Sequence, residues 1–209
     1  MTQEISAYVH GCPTAVIANV AKRVVTDLCD RAHVWREYGA AVPLVAGDYQ
    51  YTLSSTTVTG EVIDVVSAST TVAGTTHDIV FRSLDVVKRS YPSWPVDTDG
   101  DAQVFTKIDV DTVALAPVPD TAGTMTPYVC LRPTAGATVW PTSLYRMHAR
   151  AIFHGVLHDL MMMVDRPWSD DKKSLYHGKQ WTYLLSAARI RADRGFNTAD
   201  VSVTMVPMA

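Results

Sequence analysis

The chain has 209 residues, 47% of them hydrophobic, and a formal net charge of −3. That length allows one large domain or two small ones with a real core, and the apolar content excludes a disordered chain. The slightly acidic balance excludes a protein drawn to nucleic acid by global charge alone.

Ile17, Val20, Val24, Leu28 and Trp35 recur at helical spacing, with Lys22, Arg23, Asp27, Asp30 and Arg31 on the other faces. This predicts an amphipathic first helix from Pro13 to Tyr38, with Pro13 in its first turn and Gly39 as its stop. From Leu44 to Arg132 the character changes to Thr, Val and Gly. The runs Tyr49–Leu53, Glu61–Val66, Asp78–Leu84, Val104–Ile108, Thr112–Ala116 and Thr124–Leu131 read as strands. Ala73-Gly74, Asp99-Gly100, Pro117 to Asp120 and Ala122-Gly123 are turn signals between them. Regular strands with short turns predict an antiparallel sandwich or small barrel. Tyr91-Pro92-Ser93-Trp94-Pro95 reads as a loop whose aromatics cover the sheet core.

After Pro141 the helical period returns. Leu144 to Val164 is apolar on most sides, as a central bundle helix would be, and Pro167 stops it. Ser169-Asp170-Asp171 starts another helix that runs to about Arg194, with Gly195 at its end. The expected architecture is α+β: a helical bundle from residues 1–43 and 139–195, carrying an inserted β-domain over 44–138. Residues 196–209 form an extended tail in which Val201, Val203 and Met205 alternate with Ser202 and Thr204. Such a tail fits a strand that pairs with another chain, and it fits a frayed end.

Chemistry is scarce. His154 and His158 stand at i,i+4, a spacing that can place two imidazoles on one metal and that marks a metal-dependent hydrolase as an alternative. The residues between them are Gly155, Val156 and Leu157, so the glutamate of a zinc-protease helix is missing. Arg150 is one turn earlier, and Asp159 is rotated by about 100° from His158. Asp97, Asp99 and Asp101 suggest a calcium loop, but Gly100 is at its fourth position and Ile108 at its twelfth, where such a loop needs an acid. There is no phosphate loop and no Gly-x-Ser-x-Gly elbow. No enzyme, metal or cofactor is expected. Cys12, Cys29 and Cys130 have no paired spacing and read as free thiols of a reducing compartment. Met1-Thr2-Gln3-Glu4 carries no basic region followed by an apolar stretch, so no secretory signal is expected. The longest apolar segment, Ala151 to Val164, is shorter than the roughly 20 residues a membrane span needs. Lys172, Lys173, Lys179, Arg189, Arg191 and Arg194 cluster on or near the last helix. They read as a solvated face, or as a basic strip meeting an acidic partner or passing DNA; the negative net charge favours a protein partner.

One block spans the strand region and both late helices. It runs from Leu131-Arg132-Pro133-Thr134 through Pro141-Thr142-Ser143-Leu144-Tyr145 and Ala151 to Met163, and ends at Pro167-Trp168-Ser169-Asp170. Together with Ala114 to Asp120 upstream, it resembles the head-to-tail adaptor proteins of short-tailed double-stranded DNA bacteriophages. The resemblance implies a structural virion protein, assembled in the bacterial host cytoplasm, that forms a ring, dodecameric in the virion, between the portal protein and the tail tube or nozzle. Genomic DNA would pass through its lumen without sequence-specific binding, and no membrane is involved. It further implies that the carboxy-terminal segment reaches the portal. The candidate portal-binding residues are Arg189, Arg191, Arg194, Phe196, Val201, Val203 and Met205. A head- or tail-completion ring of a long-tailed phage is the alternative of the same kind.

Overall fold

The computed structural model describes residues 2–96 and 100–195. Two helices open the chain, α1 (Thr2–Ser6) and α2 (Thr14–Ala32). The stripe that the sequence predicts is buried: Ile17, Val20, Val24 and Leu28, with Ala21, Val25, Cys29 and Ala32 beside them. The helix ends earlier than the spacing predicts, at Ala32 rather than Tyr38. His33 takes a left-handed conformation (φ 48°) and its N–H bonds back to the Cys29 carbonyl, which turns the chain out of the helix. The following residues gain more from a sheet than from further helix. Arg36–Tyr38 (β1) pairs with Cys130 to Tyr128, and the Leu131 N–H bonds to the Trp35 carbonyl at 2.8 Å. Trp35 is therefore buried over the sheet rather than on a helical stripe. Gly60 makes room for it, because a Cβ there would lie 3.2 Å from the indole and 2.9 Å from Leu131.

The remaining strands are β2 (Val42–Leu44), β3 (Gln50–Thr52), β4 (Gly60–Val72), β5 (Thr75–Phe81), β6 (Val104–Lys107), β7 (Thr112–Ala116) and β8 (Gly123–Pro133). Their order in the sheet is β1-β8-β4-β5-β6-β7-β3, with β2 also on β8. Every pairing is antiparallel except β5 with β6. A parallel neighbour needs a crossover, and α3 (Leu84–Ser90) lies in it, between the predicted strand that ends at Leu84 and the predicted loop that begins at Tyr91, where the sequence suggests no element. The β4–β5 hairpin turns at Ala73 (φ 49°) and Gly74 (φ 82°), the two positive φ values of a tight two-residue turn. The sheet curls into a half-barrel: the Ala40 N–H just after β1 bonds the Ser54 carbonyl just after β3, which joins the two edge regions. Trp94 covers the core as expected, donating its indole N–H to the Leu115 carbonyl at 2.8 Å and meeting Tyr49 edge to face.

Two long helices complete the chain, α4 (Thr142–Met161) and α5 (Asp171–Asp193). The first stops at Met161, before Pro167, and the chain reverses through Asp165 with φ 58°. Asp170 caps α5, its carboxylate accepting the Lys173 N–H at 3.0 Å, and Gly195 (φ 65°) ends it as the sequence predicts. Helices α2, α4 and α5 meet at Gly155, where a Cβ would fall 2.6 Å from Val24 and 3.0 Å from Trp181. The protein is thus α+β, with helices near both ends of the chain and the strands between them. Strand β1 falls inside the stretch expected above to be helix, and β2 straddles the expected boundary between residues 43 and 44. The buried side chains of bundle and sheet form one continuous apolar cluster, from Ile5 through Leu157 to Leu115 and Met125.

Candidate assembly interface

Helix α5 carries the basic residues that the sequence singles out, and its periodicity sorts them. Ser174, His177, Trp181, Leu185, Ala188 and Ala192 are buried against the bundle. Arg189, Arg191 and Arg194 are exposed. The end of the helix is fastened to the sheet: Arg36, whose side chain is only 10% exposed, holds Asp193 at 3.2 Å and donates its Nε–H to the His33 carbonyl at 2.9 Å. Arg189 approaches the same carboxylate at 4.0 Å. Arg191 stands close enough to add to the effect of burial in lowering the pKa of His148, whose Nε2 has no hydrogen-bond partner among the described residues. Phe196, Val201, Val203 and Met205, the other candidate portal-binding residues, lie outside the described residues, as does the whole tail.

A second feature of α5 escaped the sequence reading. Tyr176, Tyr183 and Ile190 are all more than half exposed and recur every seven residues. Seven residues advance a helix by about two turns less 20°, so the three share one stripe, opposite the buried one. The signal was present as an apolar heptad on a polar face, but the basic residues around it drew the attention.

The paired histidines His154 and His158 meet different partners on α5. His154 Nδ1 lies 2.8 Å from His177 Nδ1 on α5, while His158 Nδ1 lies 3.0 Å from the Ser174 carbonyl. The Ser174 hydroxyl donates to the His158 carbonyl, so the His158 Nδ1–H is the donor to Ser174 O. Gly178 permits this approach, since a Cβ there would fall 2.9 Å from the His158 ring. Asp159 is held by Arg23 at 2.7 Å. Among the described residues no three His, Cys, Asp or Glu side chains are grouped to hold a metal. Burial lowers the pKa of both His154 and His177, helped by Arg150 for the first and by His154, His158 and Lys173 for the second. Both shifts favour the neutral rings, and a 2.8 Å contact between two neutral Nδ1 atoms requires one of them to carry the hydrogen and the other to accept it. Of the acidic triplet, Asp101 is exposed, and Asp97 and Asp99 lie outside the described residues.

Beside these histidines, a groove of about 790 Å³ runs between α2 and α5, lined by Asp27, Arg31, His158, Asp159, Trp181 and Thr182 among others. Arg31 pairs with Asp27 across its wall and Arg23, outside it, holds Asp159, whereas Lys179 at its rim forms no salt bridge among the described residues. Across the molecule the charges separate. Residues 44–138 carry eleven acidic and five basic side chains, whereas 139–195 carry nine basic and five acidic. This polarity suits docking between surfaces better than catalysis in a cleft. No helix among the described residues is long and apolar enough to cross a membrane.

The chain belongs to the SU10 adaptor protein family, whose model matches residues 3–204, and it is thus a head-to-tail adaptor of a bacteriophage and a component of the virion. No curated protein matches the chain.

Proposed function

We propose that the protein forms a ring, dodecameric in the virion, that docks on the portal, receives the tail tube or nozzle, and encloses a channel through which genomic DNA passes without sequence-specific contact. Assembly takes place in the host cytoplasm, and the protein does no catalysis. The observation that carries this reading is the extent of the family match, which takes in bundle, sheet and most of the tail rather than one module. The portal-facing part is the end of α5 with Arg189, Arg191 and Arg194, followed by the tail with Phe196, Val201, Val203 and Met205. The tail's alternation would let its backbone add to an edge strand of the portal, and folding on binding must exceed the ordering entropy it costs. A small lateral contact, repeated, closes efficiently only when a template raises the local concentration, so the free protein stays monomeric.

The test mixes purified protein with the portal protein of its phage and follows mass by light scattering. A rise to a portal-bound ring is expected. Deleting Phe196 to Ala209 should leave the bundle folded but lose portal binding. No mass increase at micromolar concentrations would sink the reading.

A further inference from the structure

Two exposed surfaces of this chain complement each other in both charge and apolar content. The first is the outward face of α5. Tyr176, Tyr183 and Ile190 are 56%, 70% and 54% exposed, so this face has no cover among the described residues. Lys179, Arg191 and Arg194 flank it and form no salt bridge among the described residues. The second is the tip joining β6 to β7, Ile108-Asp109-Val110-Asp111, whose four residues are all exposed. It is an ordered projection. The N–H groups of Ile108 and Asp109 both bond the Thr112 carbonyl, at 3.0 and 3.2 Å, and Leu53 N–H holds the Asp111 carbonyl at 2.7 Å. The nearest cation in sequence, Lys107, is taken by Asp64 at 2.7 Å, which leaves the tip acidic.

We propose that the β6–β7 tip of one copy docks on the α5 face of a second copy, Ile108 and Val110 against Tyr183 and its stripe, Asp109 and Asp111 against Lys179 and Arg191. The two patches differ, so the contact is head to tail, the kind that generates a ring when the rotation closes. It names the lateral contact of the ring proposed above and rests on that reading. A second copy fits better than DNA on two grounds. The centre of the α5 face is apolar, which a phosphate backbone does not reward, and the matching partner is acidic and apolar at once, as this tip is.

Cross-linking tests it on the full chain, with Cys12→Ser in the background to remove the one cysteine that is not buried. A variant carrying both Val110→Cys and Tyr183→Cys should give a disulfide ladder beyond the dimer under mild oxidation once it is mixed with the portal protein, which supplies the local concentration. Either single substitution can give a dimer at most. Lys179→Glu with Arg191→Glu should lower the ladder yield by about tenfold, and adding Asp109→Lys with Asp111→Lys to the same chain should restore it to within about threefold, as complementary charges require. A ring that still assembles on the portal while the double-cysteine variant gives no ladder overturns this contact and leaves the adaptor reading standing. Absence of any portal-bound ring overturns the reading itself. Retention of duplex DNA that Lys179→Glu with Arg191→Glu abolishes, with cross-linking unchanged, assigns the α5 face to DNA instead.

Discussion

Substituting Gly155 by alanine sets two effects of opposite sign against each other. In an isolated helix the change stabilises by about 1 kcal/mol, because glycine loses more backbone freedom on folding. In this protein the new Cβ would fall 2.6 Å from Val24 Cγ1 on α2 and 3.0 Å from the Trp181 ring on α5. Neither neighbour yields easily. A valine in a helix has essentially one χ1 rotamer, and Trp181, 7% exposed, is fixed in the core. A methyl cannot escape toward one neighbour without striking the other, so the helices must separate. Overpacking of this kind costs about 1–3 kcal/mol, and the net loss after the propensity gain is about 0–2 kcal/mol. For a chain of this size that lowers Tm by up to roughly 8 °C. Urea unfolding followed by tryptophan fluorescence measures it directly. The mechanism makes a sharper demand: Gly155→Ala combined with Val24→Ala should lose less than the two single losses added together, because the second change removes one of the two clashing atoms. A Gly155→Ala protein more stable than the parent by the full propensity gain of about 1 kcal/mol, or additive losses in the pair, would show that the three helices do not meet at this point.

The histidines give a pH dependence of fixed sign. His148, His154 and His177 all have pKa values lowered, chiefly by burial, so below about pH 6.5 the unfolded chain binds more protons than the folded one. Their contribution is fully present above that pH and is lost as pH falls through their lowered folded values; urea midpoints should drop across that window, and less steeply in His154→Gln with His177→Gln. A thiol reagent should label Cys12 in the native protein but reach Cys29 and Cys130 only on unfolding, since both are buried and burial pushes the Cys130 thiol up to about 11; mass spectrometry counts the adducts. Arg36→Ala should loosen the end of α5 from β1, seen as faster amide exchange near Asp193 with little change at Asp170, where Lys173 and the cap act independently.

Much of the fold was legible because it rests on period. The stripe from Ile17 to Leu28, the strand runs, and the caps at Asp170 and Gly195 are local signals, and the structure uses them. What was not legible depends on partners distant in sequence. Arg36 to Tyr38 continues the helical spacing of α2, and only the presence of Cys130 to Tyr128 makes a strand of it. The parallel pairing of β5 with β6 was hidden for the same reason, since a seven-residue helix with one buried residue, Val87, gives almost no periodic signal. The histidine spacing invited a metal because sequence shows His154 and His158 on one helix, but not His177 and Ser174 facing them from the next.

The continuity of the core bears on how such a subunit carries load. A β-unit on a flexible tether could bind a neighbour yet transmit no position to the helices. Here the attachment is rigid at several points. Trp35 packs over Gly60 and Leu131, Arg132 joins Asp30 of α2 to Glu61 of β4, and Arg36 joins β1 to the end of α5. The Arg132 cluster is part-exposed, so its worth in stability is small, but it fixes α2 against β4 in one register. The end of α5, where the tail departs, is thereby held to the same sheet that presents the β6–β7 tip. A displacement imposed on one is therefore passed to the other through packed side chains rather than through a linker. For an adaptor that must hold two unlike partners in line, that stiffness matters more than the strength of any single contact.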